Sequence, residues 1–231
     1  MSPLLITTAI QPPENSYALR MTDTHKRVAL TKAAIFFWAG FGIKKIVVAD
    51  ATEKTVLNAD DLTNLSTMGV EVEQIQYWQD LRAVIEKGKG YGEGALLDFS
   101  IKNSSILRDA DRFYKCTGKI FCRNFENIES VLQRNKIENI FWRDSLNEWI
   151  DTRFFHVSKS FCSNFLIPAY RKIDDRKGLW AERVVYELVK QKFTPRRSTR
   201  PFLTGFSGTE DEPYLEHHLG FLDEKFPCWI G

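Results

Sequence analysis

The sequence predicts an α/β protein with a mostly parallel central sheet, because two kinds of segment alternate along it. Runs rich in β-branched residues read as strands, and segments with apolar residues at helical spacing lie between them. This alternation is typical of a parallel sheet with helices on both faces, and 231 residues suffice for one such domain. The strands are predicted at 4–10, 43–50, 70–77 and 112–116, and the helices at 24–40, 60–68, 81–87 and 95–107.

Local signals set the ends of these elements. The first strand stops before Pro12, and Gly40 ends the first helix. The second strand ends in Asp50, and Gly69 follows the short second helix as its C′ residue. The segment 81–87 has high helix propensity throughout.

Beyond the fourth strand the pattern changes. A Thr-Gly turn leads into a strand at 120–123. Further strands are predicted at 140–142 and 152–157, and further helices at 159–170 and 179–192. The tail from 193 is rich in Pro, Gly and charge, so we expect loops around short elements there, with His217 and His218 at the surface.

Composition narrows the class of protein. A net charge of +2 gives no bulk electrostatic basis for nucleic-acid binding, and no apolar run approaches the roughly 18 residues of a membrane span. The four cysteines have irregular spacing, which favours reduced thiols over a zinc or redox pair. The first residues lack the basic region of a signal peptide. We expect a cytoplasmic protein, with room for peripheral contact at the inner face of the cytoplasmic membrane.

The segment 88–94 holds four glycines in seven residues and is predicted to be a loop. It matches neither a P-loop nor a dinucleotide fingerprint. Two interpretations stay open: a flexible surface turn, or a loop beside the ribose or diphosphate of a ligand. In the second, Gly90 allows close approach and Lys89 or Lys87 supplies charge.

Polar residues close the first two strands, and strand ends of a parallel sheet gather at one crevice where ligands bind. Thr8 and Asp50 would lie there, with Arg27 near the start of the first helix. Asp50 could contact ribose hydroxyls or a base edge. The alternative is a solvated loop carboxylate or a cap.

The turn after the fourth strand is the best phosphate candidate. Thr117 and Gly118 offer backbone N–H groups, and Lys115, Lys119 and Arg123 flank them with positive charge. The alternative is a β-turn with scattered surface cations.

Three carboxylates in the second half could act as a general base. Asp151 precedes a strand, Asp175 precedes a turn, and Glu182 lies in the first turn of a helix. A helix dipole also favours a carboxylate at that position without any function. His156, inside an apolar strand, reads as a buried core histidine rather than a base.

Several motifs together resemble bacterial GT-A-like glycosyltransferases of capsule and lipopolysaccharide O-chain assembly. The matching segments are TTAIQPP, VVAD, KGKGYGE, DADRFYKCTGKIFCRN, IDTRFFHVSK and DDRKGLWAE, which span most of residues 1–190 in order. Where members of that family carry a metal-binding Asp-x-Asp, this chain reads Cys-Thr-Gly-Lys at 116–119, with no carboxylate.

The resemblance implies one continuous globular domain in which residues 1–125 bind a UDP-, GDP- or CMP-sugar and residues 126–231 bind a glycan or lipid-linked glycan acceptor. Lys115, Lys119 and Arg123 would hold the diphosphate without a required metal, although Asp50 or Glu93 could recruit one. Glu182 would be the first choice of base, and Asp151 or Asp175 the second.

Two alternatives stay open beside this hypothesis. One is another nucleotide-dependent transferase on a similar sheet. The other is a non-catalytic nucleotide-binding module that serves a glycan-synthesis complex.

Overall fold

The computed structural model describes residues 1–13, 20–143, 149–207, 211–215 and 225–231. Its centre is a twisted sheet that eight described strands build. In spatial order they are β3 (Glu71–Gln76), β2 (Lys45–Asp50), β1 (Leu4–Thr8), β4 (Arg112–Thr117), β7 (Ile150–Ser158), β6 (Ile140–Arg143), β11 (Lys225–Ile230) and β8 (Thr194–Thr199).

The direction of the strands confirms the predicted fold class. The pairs from β3 to β4 are parallel, and those from β4 to β8 are antiparallel. Followed across the described sheet, these pairings leave β7 and β11 running against the other six strands. The protein is therefore an α/β domain with a mostly parallel central sheet.

A smaller sheet and a set of helices complete the architecture. The small sheet pairs β10 (Pro213–Leu215) with β9 (Leu203–Phe206) and β9 with β5 (Ile120–Cys122). The helices are α1 (Thr24–Gly40), α2 (Ala59–Thr67), α3 (Leu81–Lys87), α4 (Lys89–Asn103), α5 (Ser105–Arg108), α6 (Phe125–Asn135), α7 (Lys159–Phe161), α8 (Ile167–Tyr170) and α9 (Ala181–Lys192), with a π-helical segment (Cys162–Leu166) joining α7 to α8 and a 3₁₀ turn (Asp175–Lys177) before α9.

Helices cover both faces of the sheet because the side chains of its strands alternate between two cores. In β1, Leu4 and Ile6 face the core that α1 and α6 cover, while Leu5 faces the core under α4 and α9. Trp38 of α1 is fully buried in the first core and donates from its indole Nε1 to the Ile120 carbonyl at 3.0 Å. That bond joins α1 to β5 and so holds the small sheet against the domain.

The glycine-rich segment is helical, so its prediction as a loop is wrong. Residues 89–94 form the first turns of α4, and Gly90, Gly92 and Gly94 are buried in it. A Cβ atom on Gly94 would lie 2.4 Å from the Cβ of Tyr170, and one on Gly92 would lie 2.9 Å from a methyl carbon of Val84. The glycines therefore permit close packing of α4, and this packing outweighs their low helix propensity.

The tail prediction also needs correction. Residues 194–199 and 225–230 are β8 and β11, two strands of the central sheet rather than loops. The exposed side chains of Arg196 and Arg197 account for the misleading polar pattern, because β8 is an edge strand. Trp142 of β6 reaches β8 and donates its indole N–H to the Thr199 carbonyl at 2.9 Å.

Two further findings concern the described residues. None of their helices is long and apolar enough to cross a membrane. His156 is buried in β7, as expected, and its ring packs 4.5 Å from that of Tyr114 between centroids. The pair His217 and His218 lies outside the described residues.

The packing of α4 generates a stability prediction. Gly94→Ala should lower the free energy of unfolding by about 1–3 kcal/mol, because its Cβ has no room against Tyr170. Gly40→Ala is the matched control, since a Cβ there meets nothing within 4 Å. Urea unfolding of both variants would measure the difference. A Gly94→Ala protein as stable as Gly40→Ala would contradict the packing argument.

Candidate active-site cleft

A cleft of about 620 Å³ opens at the carboxyl ends of β1 and β4. From β1 the chain proceeds to β2 and β3 on one side, and then returns to place β4 on the other side. Crevices of this kind, where the strand order reverses, are the usual ligand sites of open α/β sheets. Thr7 and Thr8 enter from β1, Thr117 from β4, and the N-terminal turns of α4 form one wall.

The turn after β4 is held tightly against the end of β1. The backbone N–H of Gly118 donates to the Thr7 carbonyl at 2.7 Å, and a Cβ on Gly118 would lie 2.9 Å from the Cβ of Thr8. Lys119 follows with a positive φ of 71°. Its carbonyl accepts from the Phe206 N–H at 3.1 Å, which ties the turn to β9. The backbone thus fixes the direction of the Lys119 side chain.

Lys119 places a buried amine in the cleft. Its side chain lines the cavity although the residue is only 5% exposed. Burial, reinforced by the positive charge of Arg27, lowers the pKa of Lys119 to about 7, and Glu93 and Asp50 offset only part of this. Within the described ranges, no hydrogen bond or ion pair to its ammonium is found. It is therefore well placed to receive an anionic ligand.

Arg27 supplies a second, rigid cation beside it. The residue is 5% exposed and lines the cleft, and its guanidinium donates to the carbonyls of Ala9 and Met21, each at 2.8 Å. Burial lowers the pKa of Arg27, with the nearby Asp50 carboxylate acting in the opposite direction. An arginine keeps its proton in proteins, so this group contributes fixed positive charge.

A buried ion pair forms the floor of the cleft. Lys115 of β4 is fully buried, and its Nζ lies 2.5 Å from Oε1 of Glu93 in α4. The same ammonium donates to the Thr152 carbonyl at 2.9 Å and to Thr117 Oγ1 at 3.0 Å, while Thr7 Oγ1 donates to Glu93 Oε1 at 2.9 Å. Burial acts to raise the pKa of Glu93, but the charge of Lys115 and the hydroxyl donors outweigh it and leave the pKa below its ordinary value.

Glu182 also lines the cleft, at the start of α9, where the neighbouring Ala181 packs close to Gly90 of α4. Its Oε1 accepts from Thr152 Oγ1 at 3.2 Å. Burial raises the pKa of Glu182, and the charge of Glu93 adds to the effect against the opposing hydrogen bonds and Lys89. Glu93 and Glu182 thus have pKa values displaced in opposite directions within one cavity, an arrangement that suits separate charge-holding and proton-accepting roles.

Asp175 has a structural task at the same wall. Its Oδ2 accepts from the N–H of Gly90 at 3.2 Å, so the carboxylate caps the N-terminus of α4 from a distant part of the chain. Burial is the main cause that raises the pKa of Asp175, partly offset by this bond and by Lys89. Beside it, the rings of Trp149 and Trp180 form an edge-to-face pair with centroids 5.2 Å apart, and both line the cleft.

The structure gathers many of the sequence-predicted site residues in this cleft. Those that line it are Thr8, Arg27, Lys89, Gly90, Thr117, Gly118, Lys119, Asp175 and Glu182. Their convergence follows from the position of strand ends and helix starts at one edge of the sheet.

Two predicted phosphate ligands lie away from the cleft. Lys115 sits behind Glu93, with its ammonium satisfied by the ion pair and two hydrogen bonds. Arg123 is exposed beyond β5, where its backbone N–H bonds to the Phe202 carbonyl. The two cations belong to different parts of the chain, one in β4 and one after β5, and neither lines the cleft.

Two predicted carboxylates are also placed elsewhere. Asp50 is 1% exposed and accepts from the N–H groups of Ile10, Thr52 and Lys54, so it binds the loops that follow β1 and β2. Asp151 lies outside the cavity lining, and both its oxygens accept from Arg153, at 2.8 and 2.6 Å. This pairing holds Arg153, which does line the cleft.

Sequence reasoning missed several lining residues. None of Arg153, Gln79, Trp149 and Trp180 was singled out as a site residue. Glu93 was considered only as a metal ligand, and its pairing with a buried lysine has no local signal. Among the described residues, no group of three or more His, Cys, Asp or Glu side chains is arranged to hold a metal ion.

No protein family matches the chain, and no curated protein matches it. Among the solved structures that align with it are the following three, each at low identity. A protein described as a glucose-1-phosphate thymidylyltransferase from Bacillus anthracis, bound to sucrose, aligns over 91% of this chain and 91% of its own, with 13% identity and a TM-score of 0.49. Core-mannan synthase A from Aspergillus fumigatus, in a Mn/GDP form, aligns over 79% of this chain and 66% of its own, with 8% identity and a TM-score of 0.39. The bifunctional glycosyltransferase WbbM aligns over 78% of this chain and 38% of its own, with 10% identity and a TM-score of 0.39. Similarity of this extent assigns no activity, so the chemistry of the cleft has to follow from its own residues.

The buried ion pair generates the second prediction. Lys115→Met should lower the free energy of unfolding by about 3 kcal/mol, because it leaves Glu93 without its counter-charge. The double variant Lys115→Met/Glu93→Gln should recover part of that loss, since it removes both charges together. Urea unfolding at neutral pH measures both. The two side chains are not coupled if Glu93→Gln lowers the free energy of unfolding as much in the Lys115→Met protein as it does in the unaltered protein.

Proposed function

We propose that the protein is a nucleotide-sugar-dependent transferase, and specifically a glycosyltransferase. One observation carries the proposal: a single cavity at the strand-order reversal is lined both by buried cations and by a separate carboxylate of raised pKa. A sugar diphosphate presents two anionic groups next to an electrophilic carbon, which this division of charge would accommodate.

In this proposal the diphosphate lies over the turn after β4. Lys119 and Arg27 would meet its charge, with Lys89 and Arg153 at the margins of the same cavity. Gly118 lets this turn pack closely against the end of β1, because a Cβ there would lie only 2.9 Å from the Cβ of Thr8. The two tryptophans offer an apolar surface on which a sugar ring or base could pack.

The proposed reaction follows from these positions. The hydroxyl of the acceptor attacks the anomeric carbon of the donor, the bond from that carbon to the phosphate oxygen breaks, and the diphosphate leaves with the electron pair. Lys119 and Arg27 stabilise the charge of the leaving group. Glu182, held by Thr152, accepts the proton of the hydroxyl. Asp175 is the second candidate base, although its bond to Gly90 already gives it a structural role.

These cations would perform the electrostatic task that a divalent ion performs in many sugar transferases. The turn 117–119 offers a hydroxyl, a backbone amide and an amine, which are poor ligands for Mg²⁺ or Mn²⁺. We therefore propose a donor site without a required metal, with residues 1–125 binding the donor and the remainder binding a glycan or lipid-linked glycan acceptor. Assembly of a surface polysaccharide at the cytoplasmic side of the membrane is the setting that the sequence resemblance supports.

A thermal-shift panel tests the proposal. UDP, GDP, CMP, dTDP and their sugar conjugates are each added with EDTA or with Mn²⁺. One of them at about 100 times its Kd should stabilise the fold by about 2.7 kcal/mol, and it should do so in EDTA. A flat response to the whole panel would overturn the proposal. Stabilisation without sugar transfer or donor hydrolysis would support a non-catalytic binding module instead.

The role of Glu182 gives a kinetic prediction. Glu182→Gln should lower kcat by about 10²- to 10⁴-fold with little change in the KM for the donor. Because the pKa of Glu182 is raised, kcat of the unaltered enzyme should fall as the pH drops through a value above that of an ordinary glutamate. The measurement is transfer, or donor hydrolysis, across a pH series. Glu187→Gln, an exposed position on the same helix, is the control and should keep both kcat and the pH profile.

A further inference from the structure

We infer that Lys119 is a proton-coupled ligand for phosphate, which takes up a proton when a phosphate-bearing anion binds in the cleft. This inference rests on the proposed function only in that the cleft accepts such an anion. It goes further by assigning the charge state of the site before and after binding.

The first support is the geometry of the amine. Lys119 is only 5% exposed, yet its side chain lines an open cavity and does not lie in the core. Its left-handed backbone and the bond from Phe206 to its carbonyl fix where the side chain starts. No carboxylate is within ion-pair distance of its ammonium among the residues that the structure describes. A buried ammonium without a counter-charge is costly, so the neutral amine is favoured.

The second support is the set of charges around it. Arg27 and Lys89 add positive charge near Lys119. Because Arg27 keeps its proton, Lys119 is the group that loses one. The nearest acids are already used, since Glu93 pairs with Lys115 and Asp50 accepts backbone N–H groups. Arg153, Asp175 and Glu182 line the rest of the cleft, each with a partner of its own. An incoming dianion would be the missing counter-charge.

The third support is an unsatisfied hydroxyl in the same wall. Thr8 is 6% exposed, and its Oγ1 is buried without a hydrogen-bond partner in the described structure. It lies next to Gly118, 3.0 Å from the position that a Cβ would take there. A buried hydroxyl that lacks a partner is unusual. Thr8 and Lys119 both line the cleft, so a phosphate group bound there could use this hydroxyl as a further donor.

Proton linkage then fixes the sign of the pH dependence. With a pKa of about 7 in the empty cleft, Lys119 is mostly protonated at pH 6 and mostly neutral at pH 8. Binding of an anion raises that pKa, so the complex carries more protons than its separate components above pH 7. Affinity should therefore fall as the pH rises from 7 to 8, by up to about fivefold for one proton, because the free amine is already half neutral at pH 7.

Calorimetric titration with inorganic pyrophosphate tests the inference in the intact protein. Titrations at pH 8 in buffers of different ionisation enthalpy give the number of protons taken up. We expect about 0.9 proton more for the unaltered protein than for Lys119→Arg, in which the side chain stays charged throughout. This difference cancels the titration of pyrophosphate itself. Equal proton uptake in the two proteins would overturn the inference.

A second measurement guards against a misfolded variant. The ¹³C shift of the lysine ε-carbon, followed by NMR from pH 5 to 9, should show one lysine with a midpoint near 7 that is absent from Lys119→Met. Added pyrophosphate should move this midpoint upward. A midpoint that stays above 9 without ligand would overturn the inference. The probe is pyrophosphate, so proton uptake can be detected even if no nucleotide sugar binds. Failure of the proposed function would show separately, as a flat response in the thermal-shift panel.

Discussion

The ion pair between Lys115 and Glu93 is the constraint on which the cleft depends. It joins β4 to α4 across the second core, and its hydroxyl and carbonyl partners draw in Thr7 of β1 and Thr152 of β7. Four elements from distant parts of the chain are thus fixed by one pair of opposite charges. Because Lys115 is fully buried, the loss of Glu93 would leave its ammonium without a counter-charge in a dry interior. The same pair occupies Glu93, and this leaves Lys119 without that carboxylate.

The positions of the first four strands along the chain could be predicted, because the signals that mark them are local. β-branched runs, a glycine after a helix and a proline after a strand each act within a few residues. The lining of the cleft by Thr8, Thr117 and Lys119 followed from strand ends alone. The helical state of 89–94 could not be predicted in this way, since its glycines have low helix propensity and are explained only by Tyr170 and Val84 on other elements. The pairing of Lys115 likewise depends on tertiary contacts, because a lysine in a strand is usually exposed.

Distribution of charge, rather than its amount, distinguishes this cleft. The chain as a whole is nearly neutral, at +2, and several of its surface cations form ion pairs with acidic neighbours. In the cleft, Arg27 and Lys119 share one buried space, while the acids that could balance them bind backbone N–H groups or Lys115. The fold tolerates this arrangement because the rigid guanidinium is held by two carbonyls and the amine can give up its proton.

The position of β11 affects the order in which strands join the sheet during folding. In the described sheet β8 pairs only with β11, and β11 in turn pairs with β6, although β8 precedes β11 along the chain. The earlier strand can therefore join the sheet only through the later one, either after it has docked or together with it as a pair. Contacts between segments far apart in sequence form slowly, because the intervening chain must first be ordered. Until then β6 presents an unpaired edge, which makes a partly folded chain of this kind open to pairing with a second copy.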